Sequence, residues 1–149
     1  MRILIFSDAS DWYINSRLVK RLKEDPRADI SGFKNYYKDH LFNRALFYDS
    51  IAYQLTNRRI HHVLLLHHNL AAALFLGDLI EYFEVNGWNV IDTDKAYQDK
   101  IYDQTPGTVP AGESLIWSLA KQSGKFEHVL RYPAEDSQYE KPLMDKLGL

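Results

Sequence analysis

Two short apolar runs, each closed by a polar motif with acid–base potential, constrain this chain more than any other feature. Ile3-Leu4-Ile5-Phe6 leads into Ser7-Asp8-Ala9-Ser10-Asp11-Trp12, and Val63-Leu64-Leu65-Leu66 leads into His67-His68. Both runs are aliphatic or aromatic throughout, and helical amphipathicity does not account for the second, so residues 3–7 and 62–67 read as short buried strands. A carboxylate and an imidazole then stand at the carboxyl ends of two strands. In parallel α/β folds the loops converge at that end and the chemistry gathers there.

Between and after these strands the apolar period becomes helical. Over residues 12–23, Ile14, Leu18, Val19 and Leu22 recur at helical spacing until Asp25-Pro26 ends the segment. Over residues 31–55, Phe33, Tyr37, Leu41, Ala45, Tyr48, Ala52 and Leu55 trace one stripe and predict the longest helix. Residues 74–85 predict a helix stopped by Asn86-Gly87, and residues 88–91 a third strand. Asp92-Thr93-Asp94 caps a turn over 95–98, and 113–122 predicts a last helix with Leu115, Ile116 and Leu119 facing inward. The segment 125–149, with Pro133 and Pro142, has no periodicity and reads as an irregular tail.

Strands alternating with helices imply βα units joined by right-handed crossovers. The expected fold is therefore α/β: an incomplete (β/α) barrel of about three parallel strands, with long helices and an irregular C-terminal tail, forming a single partial domain over 1–149. So small a parallel sheet leaves two edges to be covered by the long helix, by the tail or by another copy of the chain in a homo-oligomer.

Composition narrows the partners. The chain is 46% hydrophobic and 26% charged, the balance of a globular domain with a real core. A formal net charge of −2 gives no support to nucleic acid or an anionic membrane as partner. No apolar stretch approaches the roughly 20 residues of a membrane span, and the first residues lack the pattern of a signal peptide. The absence of cysteine excludes disulfides and thiolate metal sites but leaves the compartment open.

The motif residues also have plain structural readings. Asp11 or Ser10 suits the N-cap of a helix starting at Trp12. His67 alone suits a hydrogen-bonded strand-end histidine. His61, His62, His67 and His68 together suggest a metal site, since imidazole binds zinc, copper and nickel, but strand alternation splits them between two faces. Tyr36, Tyr37, Phe47, Tyr48 and Tyr53 suggest sugar stacking, although their helical spacing favours core packing.

Taken together, the motifs resemble a known hydrolase family. Ser7-Asp8-Ala9-Ser10-Asp11-Trp12 is similar to the Asp-Trp motif of the NodB-type polysaccharide deacetylases, and Leu65-Leu66-His67 to their final Leu-x-His motif. Phe75-Leu76-Gly77-Asp78-Leu79-Ile80, Gly87-Trp88, Gly112-Glu113-Ser114-Leu115-Ile116-Trp117 and Arg131-Tyr132-Pro133-Ala134-Glu135-Asp136 resemble one bacterial branch of that family. The resemblance implies a metal-dependent hydrolase that removes acetyl groups from N-acetylated carbohydrate. It makes His67 the acid that protonates the leaving amine and Asp11 the carboxylate that holds it, with Trp12 and Leu65 as walls of the acetyl pocket.

Other family motifs are missing. The full-length family carries a zinc-like divalent metal on an Asp-Asp strand end and a His-x-x-x-His pair, together with an Arg-x-Pro element. This chain has no adjacent aspartates and no histidines at that spacing, and its Arg131-Tyr132-Pro133 lies after the final motif instead of before it. Only seven residues precede Asp8, whereas a closed barrel takes about 250 residues. The chain thus reads as the carboxyl-terminal portion of such an enzyme, holding no metal and inactive alone. The alternative is a non-catalytic remnant or interaction module that keeps the fold, or a subunit that docks on a complementing N-terminal half.

Two other enzyme classes fit less well. The start of the chain and Gly77-Asp78-Leu79-Ile80-Glu81 superficially resemble metallophosphoesterase motifs, but position 10 is Ser where His is needed, and no Gly-Asn-His element follows. No glycine-rich phosphate loop follows the first strand, so nucleotide binding has no support.

Overall fold

The computed structural model describes residues 3–6, 10–109, 113–131 and 136–149. The elements, in order, are β1 (Ile3–Phe6), α1 (Asp11–Glu24), α2 (Ser31–Thr56), β2 (His61–Leu64), α3 (Leu70–Val85), α4 (Thr93–Ala96), a 3-10 turn (Lys100–Asp103), α5 (Leu115–Ser123) and α6 (Asp136–Lys146). No helix among the described residues is long and apolar enough to cross a membrane.

The expected α/β partial barrel does not form. Helices make up the body of the molecule, and the sheet of the described residues is a two-stranded parallel pair, β1 beside β2, in the register Ile3 to His61 through Phe6 to Leu64. The third strand expected over residues 88–91 shrinks to a single bridging residue, Trp88, directly after the end of α3. Gly87 takes a left-handed φ of 82°, its amide donates to the Glu84 carbonyl at 3.0 Å, and the Trp88 amide donates to the Phe83 carbonyl at 3.0 Å. These two bonds are a Schellman stop. They commit the Trp88 N–H to the helix end, while its buried indole packs edge-on against Phe83 and Phe42.

Helix α2 is the central column. Its stripe Phe33, Tyr37, Leu41, Ala45, Tyr48 and Ala52 is buried, and α1, α3 and α5 pack around it. Burying a large apolar side chain contributes about 1.5–3 kcal/mol, so this stripe and the Ile14 and Leu18 face of α1 hold the two strands against a helical core. Of the aromatic residues that suggested sugar stacking, Tyr37 and Tyr48 are fully buried and Tyr36 and Phe47 half-buried.

The tail is also corrected. Residues 136–146 form α6, with Pro142 inside it. Glu140 and Met144, one helical turn apart, are buried. Glu140 receives the Tyr36 hydroxyl at 3.0 Å and Arg131 Nη1 at 2.5 Å, and lies 3.2 Å from His40 Nδ1. At the far end Arg17 donates to Asp145 at 2.8 Å and to the Leu149 carbonyl. A buried carboxylate with three partners, beside the buried Met144, docks this helix.

Candidate functional site

The parallel register brings the loops leaving β1 and β2 out at the same end of the pair. On the first loop Ser10 adopts φ 51°, a left-handed conformation that costs a non-glycine residue energy and is often found at functional sites. That turn makes Asp11 the first residue of α1. Ser10 is the N-cap but makes no side-chain cap bond. The second loop carries Leu65 to Asn69 directly into α3.

Asp11 does not cap its helix. Its Oδ1 lies 2.7 Å from His67 Nδ1, and its Oδ2 accepts the His67 backbone N–H at 2.9 Å and Asn69 Nδ2 at 3.1 Å. The two partners differ in burial: Asp11 is 1% exposed, whereas the His67 side chain is 65% exposed. An ionised carboxylate only accepts hydrogen bonds, so the facing Nδ1 carries a proton and Nε2 is the nitrogen left to exchange one with a ligand. Tyr37 approaches from α2, and burial, with the Asp11 charge after it, pushes its phenol well above the ordinary range.

The expected pocket walls flank this pair but do not close over it. Trp12 is 44% exposed and meets Tyr13 edge-on at 5.7 Å, and Leu65 is 66% exposed. Leu66, between Leu65 and His67, turns inward against the core. An apolar cavity of about 210 Å³ opens between β2, α3 and the segment after it, but neither Asp11 nor His67 lines it. Among the described residues, the Asp–His pair thus presents an exposed imidazole on a buried carboxylate.

The histidine cluster disperses. His62 is buried with Nε2 3.3 Å from Asp49. Burial pushes the Asp49 carboxyl up, but His62 and Arg59 outweigh it and hold it below the ordinary range. His61 Nδ1 lies 3.4 Å from the Lys95 carbonyl, and His68 is exposed. No three metal-ligating side chains converge among the described residues, and Asp8 lies outside them. Arg131 is a docking residue, paired with Glu140 and stacked on Tyr139 at 4.3 Å; its neighbours Tyr132 and Pro133 lie outside the described residues. Gly77 sits inside α3, and Asp78 pairs with Lys34 at 3.2 Å, an arrangement unlike a phosphoesterase strand end.

Sequence reasoning missed Asn69. The run Leu70-Ala71-Ala72-Ala73-Leu74-Phe75-Leu76 is apolar almost throughout, which hides the helical period and delays the expected start of α3 to residue 74. The available signal was Asn69 itself, a strong N-cap residue directly before that run.

Compared with family models, with curated proteins and with solved structures, the chain matches nothing in any of the three. The resemblance to polysaccharide deacetylases therefore rests on its motif residues alone.

Proposed function

We propose that this chain supplies the proton-donating part of a metal-dependent polysaccharide N-deacetylase, acting on the acetamide of N-acetylated sugars. The observation that carries the reading is the 2.7 Å contact between Asp11 and His67 across two parallel-strand exits, with the imidazole otherwise open to solvent. A histidine whose Nδ1–H is held by a buried carboxylate, and whose Nε2 faces outward, is arranged as a general acid–base. In the imidazolium form it donates the Nε2 proton to the amine nitrogen as the C–N bond breaks. Neutral imidazole remains, and Asp11 stays a carboxylate throughout.

Trp12 and Leu65, exposed beside Asp11 and His67 in sequence, supply apolar surface suited to the acetyl methyl. A divalent metal would supply polarisation of the amide carbonyl and an activated water. Because the described residues do not fit a metal centre, that chemistry is assigned to a complementing segment.

The test is reconstitution. The chain is mixed with a polypeptide bearing the Asp-Asp and His-x-x-x-His motifs, zinc or cobalt, and an N-acetylglucosamine oligosaccharide, and acetate is measured. Release that requires both polypeptides and is lost in His67→Gln supports the reading. Robust release by the chain and metal alone, or release indifferent to His67, overturns it.

A further inference from the structure

We infer that Asn69 is the positioning residue of the Asp11–His67 pair, locking the carboxylate so that His67 keeps its proton on Nδ1 and presents Nε2 outward. The inference rests on the reading of Asp11 and His67 as a proton-transfer pair.

The two ends of the Asn69 amide are committed to different structures. Nδ2 donates to Asp11 Oδ2 at 3.1 Å, while Oδ1 accepts the Ala72 backbone N–H at 2.9 Å as the N-cap of α3. Flipping the amide would set oxygen against carboxylate oxygen and NH2 against N–H, so only one orientation keeps both bonds. The Asn69 carbonyl takes the Ala73 amide at 3.0 Å, continuing the helix from this residue. From α1, Asn15 Oδ1 accepts the neighbouring Ala71 N–H at 3.1 Å. The first turn of α3 is thereby capped by two asparagines from different elements, and only one of them also touches the carboxylate.

That arrangement constrains the pair. Among the described residues Asp11 Oδ1 faces the imidazole, while Oδ2 is occupied by two donors, the His67 amide and Asn69. Without Asn69 a single backbone N–H would hold Oδ2. The carboxylate could then rotate, and the other imidazole tautomer would compete. The fixed neutral tautomer, on which an outward Nε2 depends, is therefore attributed to a side chain that need not touch substrate.

Two substitutions separate capping from positioning. Aspartate is as good an N-cap as asparagine, and glycine costs a cap only a few tenths of a kcal/mol, yet neither offers Asp11 a side-chain N–H. Nitrogen-15 and proton NMR of the intact chain, at a pH high enough that the ring is neutral, reads the His67 tautomer and the exchange of its Nδ1 proton, with the Ala71 and Ala72 amides reporting whether α3 is formed. The wild type is expected to hold one tautomer. Asn69→Asp and Asn69→Gly are expected to mix tautomers and to exchange the Nδ1 proton about tenfold faster or more, the factor expected for one lost hydrogen bond. Asn15→Ala, which removes the other cap, should leave the His67 signals unchanged. A wild-type lock that survives both Asn69 substitutions overturns the role of Asn69 and leaves the pair intact. A wild-type ring already sampling both tautomers overturns the pair and Asn69 with it.

Discussion

Asp11 and His67 lie 56 residues apart in the chain and 2.7 Å apart in space, the carboxylate sealed in the protein and the imidazole mostly in water. The asymmetry makes Asp11 the structural hub and His67 the chemical tip. Removing them should therefore have opposite balances of effect on stability and activity.

Asp11→Ala leaves three donors, two of them on His67 and one on Asn69, without their acceptor. Unsatisfied buried polar groups cost about 1–3 kcal/mol, and a loss of that size is expected. His67→Ala also takes the imidazole from Asp11 Oδ1, but it opens that oxygen to water and leaves the backbone N–H and Asn69 on Oδ2, so a smaller loss of about 1 kcal/mol is expected. Urea unfolding at pH 7 measures both; equal losses, or a larger one for His67→Ala, would contradict the hub.

Trp12 and Leu65 should show the reverse of core behaviour. Both expose large apolar surface, so Trp12→Ala and Leu65→Ala should each cost less than about 1 kcal/mol of stability. In the reconstituted deacetylase the same changes should lower kcat/KM for the N-acetylated oligosaccharide, with Trp12→Ala losing more. Thermal melts beside acetate kinetics provide the check, and a large drop in melting temperature with unchanged kinetics would make these residues merely structural.

The site was legible in the sequence because it is local at each end: an Asp after one apolar run and a His after another, with parallel pairing bringing the two loops together. The long helix was legible too, since the stripe from Phe33 to Ala52 has an unbroken period and every member is buried. What failed had two sources, the chemistry of helix ends and contacts between distant residues. Trp88 belongs to a run that suits a strand, yet its N–H is taken by the Schellman stop that Gly87 permits. Helix α6 carries Pro142 and several charges, and what fixes it is the convergence of Tyr36, His40 and Arg131 on Glu140, a contact no periodicity in residues 136–146 encodes. Asn69 was hidden by the apolar run it caps.

Glu140 is fully buried, so α6 should depend on it. Burial, with the Glu140 charge after it, already pushes the Tyr36 phenol far above its usual range, which keeps the hydroxyl a donor. Breaking a buried charge network by removing one partner costs about 3–5 kcal/mol. Glu140→Ala is expected to lose that much and to release α6. Hydrogen exchange should show the α6 amides losing protection while those of α2 keep theirs. Retained protection in α6 would assign its docking to Met144 and the Arg17 contacts instead.

Acid should weaken the fold through Asp99. Its buried carboxylate receives Arg58 at 2.9 and 2.5 Å and the amides of His61 and Ile101 at 2.9 Å each, pinning the start of β2. Burial pushes this carboxyl up, but Arg58 and the two amides outweigh it and hold it well below the ordinary carboxylate range. A carboxyl depressed in the folded state contributes stability that is fully present above its unfolded value, about pH 4, and is lost as pH falls through the folded one. Asp99→Asn should therefore cost about 1–3 kcal/mol at pH 7, where the charge-assisted bonds are made, and flatten the decline in stability below about pH 4. Asp49, depressed in the same direction, should leave a residual slope. Urea unfolding from pH 7 to pH 3 on both proteins measures this, and parallel curves over that range would place the acid sensitivity outside Asp99.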